Sequence, residues 1–379
     1  MKEGWTYKKL GEVCEILDSM RKPITKDKRE SGEIPYYGAT GCLDYVKDYI
    51  FDEKLVLLGE DGAKWGAGDN SAYIINGKTW VNNHAHALRP KRNIMIDELL
   101  VYYLNFSNLQ PFITGVTVPK LNQEKMRSIE IPVPPLSEQR AIVARLDSAF
   151  AQIDALKANA ERQLAEARKL FQKALEEAMT PKEGWEEKTL KDLVDDLCPI
   201  SYGIVQQGDN IEKGVPVVRP VDLSKKFITR QGLKCTSDSI SNAYKRTILR
   251  GNEILLSVRG TTGVLALATA ELSGCNVNRG IVPLFFKDIV VRDFLYYEMI
   301  SPVLQKVFEE KTTGSTLKQI NIKDLRLIKL YYPSLATQHS IVAHLDSLSS
   351  HVRALEDVLQ RTKAECDALK QAMLRAVFE

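Results

Sequence analysis

From Leu345 onward apolar residues recur every seven positions, at Leu345, Val352, Leu359, Cys366 and Met373, with a companion set at Leu348, Leu355, Thr362, Leu369 and Ala376. That is the a/d pattern of a helix that buries one stripe against another helix. The same register in the middle of the chain collects Leu146, Ile153, Ala160, Ala167 and Ala174, flanked by Phe150, Leu156, Leu164, Leu170 and Phe171. Small residues on one stripe face large ones on the other, which predicts that the two helices pack on each other, folded back antiparallel. Each has a proline-containing start, Pro134-Pro135-Leu136-Ser137 and Pro333-Ser334-Leu335-Ala336, and the first is expected to stop at Thr180-Pro181, where proline cannot continue the hydrogen-bonded ladder. With about 45 residues at about 1.5 Å rise, each would reach on the order of 65 Å.

The segments between are of a different kind. Lys54 to Leu58, Ala72 to Ile75, Glu253 to Val258 and Ile281 to Phe286 are short apolar runs bounded by glycine turns, as strands are. Ile96 to Phe106 and Val291 to Phe308 read as helices. The chain is also written twice. Glu3-Gly4-Trp5 and Lys9-Leu10-Gly11-Glu12-Val13 return as Glu183-Gly184-Trp185 and Thr189-Leu190-Lys191-Asp192-Leu193-Val194. Leu57-Leu58 before Gly62 matches Leu255-Leu256 before Gly260, and Tyr102-Tyr103-Leu104 is paired with Tyr296-Tyr297-Glu298. The last third of each copy aligns without gaps: Thr114-Gly115 with Thr313-Gly314, Leu121-Asn122 with Ile320-Asn321, and Gln139-x-x-Ile142-Val143-Ala144-x-Leu146-Asp147-Ser148 with Gln338-x-x-Ile341-Val342-Ala343-x-Leu345-Asp346-Ser347. The expected fold class is therefore α/β (α+β): mixed globular units over 1–135 and 181–333, spacer helices over 136–180 and 334–379, an antiparallel coiled coil and a pseudo-twofold internal repeat.

Composition narrows the function classes. With 44% hydrophobic and 27% charged residues over 379 positions, each half can bury a core. No apolar stretch approaches the roughly 20 residues of a membrane helix and no apolar signal segment opens the sequence, so a cytoplasmic protein without a membrane partner is expected. Six scattered cysteines without C-x-x-C spacing suggest neither zinc ribbon nor disulfide framework. The net charge is only +3 and both helices are nearly neutral, which leaves a mild basic surplus elsewhere.

The duplicated order, the Gly-Trp near each start, the Leu-Asn or Ile-Asn step and the Pro-x-Leu-x-x-Gln-x-x-Ile-Val-Ala-x-Leu-Asp opening of each helix resemble type I restriction-modification specificity subunits over essentially the whole chain. The resemblance implies two target recognition domains that each read one half of an asymmetric, bipartite double-stranded DNA site. It also implies paired helices that fix the spacing and dock two modification (methyltransferase) subunits, with restriction/translocase subunits joining through the complex. S-adenosylmethionine would then belong to the modification subunit, and ATP and Mg to the restriction subunit, with no cofactor in this chain. Gln139 and Arg140, with Gln338 and His339, are the partner-docking candidates. His339 and Ser340 stand where the first copy has Arg140 and Ala141, so the two docking surfaces differ.

Motifs for chemistry are missing from the sequence. Gly59 to Gly68 lacks both G-x-G-x-x-G and a Gly-Lys-Ser/Thr ending and reads as a turn-rich loop. Glu309-x-Lys311 falls at a helix end, as solvated charge. His84-x-His86 has no third metal ligand nearby in sequence, and alternation places both rings on one side of a strand. No Ser/His/Asp elbow occurs. A non-catalytic DNA binder is the expectation, with a stand-alone bivalent DNA-binding protein and a non-DNA coiled-coil scaffold as the other readings. For base and phosphate contact the useful groups are Arg, Asn, Gln, Lys and small hydroxyls on loops. In the first unit these are Tyr37, Thr40, Lys64, Trp65, Asn82, Asn83, His84, Thr117 and Lys120. In the second they are Gln206, Gln207, Arg219, Arg259, Thr261, Thr262, Asn276, Asn278, Arg279, Thr316 and Lys318. Asn82 and Asn276 are read as counterparts, as are Lys64 and Thr262. Trp5 and Trp185 are assigned to packing.

Overall fold

The computed structural model describes residues 4–115, 117–315 and 317–379. The chain forms two compact units, Met1–Glu161 with Val358–Glu379, and Arg162–Asp357. Two long helices, Leu136–Met179 and Leu335–Phe378, each contribute one part to each unit. No helix among the described residues is long and apolar enough to cross a membrane.

In the first unit a four-stranded sheet runs Cys14–Ile16, Ala85–Pro90, Leu55–Gly59, Ala72–Ile75. Leu55, Val56, Leu57 and Leu58 are all fully buried because this strand is covered on both faces, which is why the run is continuous rather than alternating. Val56 and Leu58 face a core with Leu99, Leu100 and Leu104 of the helix Asp97–Phe106, Ile142 and Leu146 of the first long helix, and Leu374 and Phe378 of the second. Leu55 and Leu57 face a smaller core with Phe51, Ile75 and Val81. At about 1.5–3 kcal/mol per buried side chain, this one strand anchors both layers. A second sheet, Gly41–Val46, Ser31–Gly38, Lys78–Val81, Phe51–Asp52, completes the unit.

The second unit repeats the central strand and its two neighbours but carries its fourth strand on the opposite edge, where Phe227–Ile228 pairs parallel with Leu265–Ala268. Its four-stranded sheet is Phe227–Ile228, Leu265–Ala268, Ile254–Ser257, Ile281–Leu284, and its smaller sheet is Lys234–Thr236, Val215–Val218, Asn276–Val277. Ile254 and Leu256 enter one core, Leu255 the other. The helix expected over 291–308 is two, Arg292–Ile300 and Pro302–Lys311. Pro302 has no N–H to continue the first, and the Ser301 side chain caps the second by accepting from the Leu304 N–H.

The second long helix buries Leu345, Leu359 and Cys366 of its heptad set, whereas the first departs from the heptad reading. Ile142, Ile153, Leu164 and Leu175 are buried at a spacing of eleven, close to three whole turns, so the stripe of the first helix runs nearly straight. Leu156 and Leu170, and Leu369 of the second helix, lie off the buried stripes and are exposed. Within the first unit the helices run antiparallel, with Lys370, Asp367 and Lys363 paired in turn to Asp154, Lys157 and Glu161. Within the second, Arg168 pairs with Glu356.

The start of each helix is fixed by its glutamine. Gln139 is fully buried; its amide donates to the carbonyls of Ile94 (2.7 Å) and Pro134 (2.8 Å) and accepts from the Ile96 N–H (3.0 Å). Gln338, also fully buried, donates to Pro333 O (2.8 Å) and accepts from the Val291 N–H (2.7 Å). Both therefore lock a long helix to the helix of the sheet layer, and neither presents its amide to a partner, a correction of the docking expectation. Arg140 and His339 are exposed. The same bonds fix Ile96 as the counterpart of Val291, so Tyr102 corresponds to Tyr297, one residue off the sequence pairing; both hydroxyls donate to the matching aspartates, Asp147 and Asp346.

Candidate nucleic-acid interface

Three loops meet at the end of the central strand in each unit. In the first, the Glu60 N–H donates to His84 O (2.8 Å), the Leu121 N–H donates to Glu60 O (2.8 Å), and Asp61 bridges Lys120. In the second, the Val258 N–H donates to Gly280 O (2.8 Å), the Ile320 N–H donates to Val258 O (2.9 Å), and Arg259 bridges Gln319. Gly62 and Gly260 follow with φ of 71° and 81°, the left-handed turn that glycine adopts without strain. The junction thus equates Glu60 with Val258, Asp61 with Arg259, His84 with Gly280 and Lys120 with Gln319. Asn83 falls to Arg279.

Most of the expected residues lie on these loops. Lys64, Asn83, His84 and Thr117 are exposed and Lys120 is half-buried in the first unit. In the second, Thr261 and Lys318 are exposed, and Arg259, Thr262, Asn278 and Arg279 are half-buried. Thr261, Thr262 and Lys318 line one cleft of about 650 Å³ against the helix Pro302–Lys311; Glu309 lines it too, and Lys311 is exposed. Thr316 lies outside the described residues. Gln206 is exposed beside the segment whose Ile204 carbonyl accepts from the Arg279 N–H (2.8 Å). Gln207 is half-buried, its carbonyl accepting from the Thr236 hydroxyl. Tyr37 and Thr40 lie at the end of the strand Ser31–Gly38 and in the turn after it, beside the junction, with the Tyr37 carbonyl accepting from the Asn82 N–H (3.0 Å). The Tyr37 ring is half-buried against Tyr73 at 5.9 Å, and burial pushes its hydroxyl above the ordinary tyrosine range. Thr40 lines a separate cavity with Tyr73 and Tyr102.

Several candidates are taken up by the fold. Trp65 is buried, its indole N–H donating to Gly59 O (3.0 Å). Asn82 is buried and accepts from the His84 N–H (2.8 Å); Asn278 accepts from the Gly280 N–H in the same way (3.1 Å), so Asn278 rather than Asn276 is its counterpart. Asn276, fully buried, accepts from the Thr247 hydroxyl and the Val277 N–H and donates to Ser241. Arg219 forms a two-pronged pair with Asp222 (3.1 and 2.9 Å). Trp5 is buried, its indole N–H donating to Glu138, and Trp185 stacks near Phe294.

The two junctions differ in charge. The first holds a dense ion-pair network: Arg21 donates to Glu60 (2.6 Å) and to Ala85 O (2.7 Å), Lys120 reaches Glu60 at 2.7 Å, and Asp61 pairs with His84. Fully buried His86 places one ring nitrogen 2.6 Å from Asp18 and the other 2.7 Å from Leu121 O. His84 precedes the strand Ala85–Pro90 and is exposed, so the two rings do not share a face as alternation suggested. Burial raises the Asp18 carboxyl, but the His86 hydrogen bond and Arg21 outweigh it and leave it below the ordinary range. Glu60 is also lowered: burial opposes, and Lys120 and Arg21 prevail. Asp18, Glu60 and His86 bring ligand atoms within 4.8 Å of one another, yet Arg21 and Lys120 already occupy the carboxylates and both imidazole nitrogens are engaged. In the second unit Val258 and Val282 replace Glu60 and His86, and no carboxylate pairs with Arg259 or Arg279 among the described residues. Asp18, Arg21, Glu60, Asp61, Tyr202 and Gln319 were not singled out from the sequence. The acidic pair Glu60-Asp61 just past an apolar strand was the one local signal.

Comparison with known proteins places this fold. The profile of the family described as type I restriction modification DNA specificity domain matches twice, at residues 2–166 and 182–362. The chain is 28% identical over 290 residues to the type I restriction enzyme EcoBI specificity subunit of Escherichia coli, covering 70% of this chain and 61% of that protein. It is 28% identical over 373 residues to a putative type I restriction enzyme specificity subunit of Haemophilus influenzae, covering 93% and 90%. Among solved structures, a chain described under "complex assembly and conformational transition of the type I R-M system" shares the fold with a TM-score of 0.75 at 21% identity, covering 100% of this chain and 98% of that one. The HsdS subunit from Thermoanaerobacter tengcongensis follows at 0.58 and 22%, covering 100% and 97%. The doubled profile falls on the two units that the hydrogen bonds independently equate, and the chain belongs to the type I restriction-modification specificity family, as a non-catalytic DNA-specificity subunit that works with other subunits.

Proposed function

We propose that each unit reads one half of a bipartite, asymmetric double-stranded DNA site through its three-loop junction, and that the long helices dock two modification subunits. The observation that carries this reading is the junction itself: one main-chain framework, built twice, with different side chains on it. A protein that needs two unlike half-sites requires that combination. Arg140 and His339 stand exposed at the matching place of each helix start, and their difference in chemistry predicts unequal affinity for the two partners. S-adenosylmethionine for methyl transfer would be brought by the modification subunits, and ATP with Mg by restriction subunits, in the cytoplasm.

The test is to co-express the chain with the methyltransferase subunit of its host and map methylated adenines genome-wide. Two short sequences at a fixed separation are expected. Exchanging residues 1–135 for the corresponding unit of a relative should change one of them and leave the other. A single continuous motif, or a swap that changes both halves, would overturn the reading.

A further inference from the structure

At the second junction Arg259 and Arg279 line one recess of about 310 Å³ with Tyr202, Val205, Val258 and Gln319. Neither guanidinium has an acidic partner among the described residues, and the Nε of Arg259 is buried without a hydrogen-bond acceptor. That is costly. A buried donor left unmade forfeits its hydration, and two like charges sharing a recess repel. Elsewhere the chain pairs such groups: Arg219 with Asp222, Arg21 with Glu60, Arg89 with Glu53. A fork of donors with no acceptor inside the protein points to an acceptor outside it.

We propose that Arg259 and Arg279 are the guanine-contacting pair of the second unit, each fixing a G·C pair at one position of its half-site. This rests on the DNA-reading function proposed above. In the major groove guanine presents two adjacent acceptors, O6 and N7, which match the planar guanidinium fork. A phosphate offers acceptors too, but the recess is bounded by the Tyr202 ring and Val205, and exposed Lys318 stands on the neighbouring loop to take backbone charge. The same locus in the first unit carries Asp61 and Asn83. A carboxylate repels O6 and N7 and accepts from an amino group, so the first unit does not read guanine there.

The experiment uses the full chain in complex with its methyltransferase subunits and a library of randomised duplexes, read as base preference at each position and as affinity against salt. The variants are Arg259→Lys and Arg279→Lys, which keep the charge and lose the fork. Each should reduce preference for guanine at one position of the half-site assigned to the second unit, on the order of 10- to 100-fold, with the other half-site and the salt dependence unchanged. Thermal melting of each variant identifies a folding defect; should Arg259→Lys not fold, Arg279→Lys alone decides. Unchanged preference at every position overturns the proposal. So does retention of full affinity and preference by both lysine variants while Arg→Ala weakens all sequences alike and flattens the salt dependence, the mark of a phosphate clamp. If the native complex selects no sequence at all, the DNA-reading function falls first, and this assignment with it.

Discussion

Removing the charge of Glu298 should flatten the pH dependence of the second unit's stability. Glu298 sits in the helix Arg292–Ile300, 2% exposed, where the first unit has Tyr103. One carboxyl oxygen accepts from the Tyr331 N–H at 2.6 Å; the other is buried with no partner. Burial without a cation pushes this carboxyl up from 4.5 to about 8. The folded state then holds a proton that the unfolded chain has released, so stability is fully present below pH 4.5 and declines as pH rises to about 8. At about 1.4 kcal/mol per pH unit, that interval sets a ceiling of about 5 kcal/mol. Relaxation and water entry reduce it, and a loss of a few kcal/mol is expected. Glu298→Gln keeps the acceptor for Tyr331 and cannot ionise. Denaturant melts of the native chain and the variant from pH 5 to pH 9 provide the assay, followed by a probe in the second unit. The variant should match the native chain near pH 5 and exceed it by roughly 1–3 kcal/mol at pH 8. Parallel curves across that range would refute the reasoning.

Three further outcomes follow from contacts already described. Gln139→Ala and Gln338→Ala strand buried backbone groups, so each should cost roughly 1–3 kcal/mol in melting experiments; normal stability with weakened partner binding would restore them as docking residues. Asn276→Ala should destabilise by a similar amount, roughly 1–3 kcal/mol, without altering base preference, because its amide is spent on Thr247, Ser241 and Val277; a changed preference in the DNA selection would contradict this. A four-residue insertion after Ala158 adds about one turn, or about 6 Å, and should lengthen the gap between the methylated half-sites by one or two base pairs, with both sequences kept; an unchanged gap would mean helix length does not set it.

The sequence made the periodic features legible. Apolar runs such as Leu55 to Leu58 and Ile254 to Leu256 announced strands, and the gap-free repeat around Gln139 and Gln338 announced the helix starts. What it hid were contacts assembled from distant segments. Asp18, Glu60, His86 and Leu121 come from four places in the chain, and no local pattern links them. Polar type alone also could not separate readers from supports: Asn82 and Asn276 look like base-contacting amides in sequence, and Gln139 and Gln338 like docking residues, and all four are buried hydrogen-bonding residues in the fold. The Tyr102 register slipped by one because adjacent tyrosines align equally well either way until Asp147 and Asp346 choose between them.

The division of labour at the junctions explains how one framework can serve two half-sites. The bonds that close each junction run between main-chain groups: Glu60 to His84 and Leu121 to Glu60 in one, Val258 to Gly280 and Ile320 to Val258 in the other. Asparagine side chains brace the turn in both. The side chains at 61 and 259, 83 and 279, 120 and 319 carry none of the backbone bonds that hold the loops, so they can reverse sign while the backbone stays as it is. They have done so. The first unit spends its charges internally, in pairs that cost little in the free chain. The second leaves two guanidiniums without an acidic partner, lining one recess. Contact with a base there sharpens selectivity, because a base that lacks acceptors at that position would cover these donors without satisfying them.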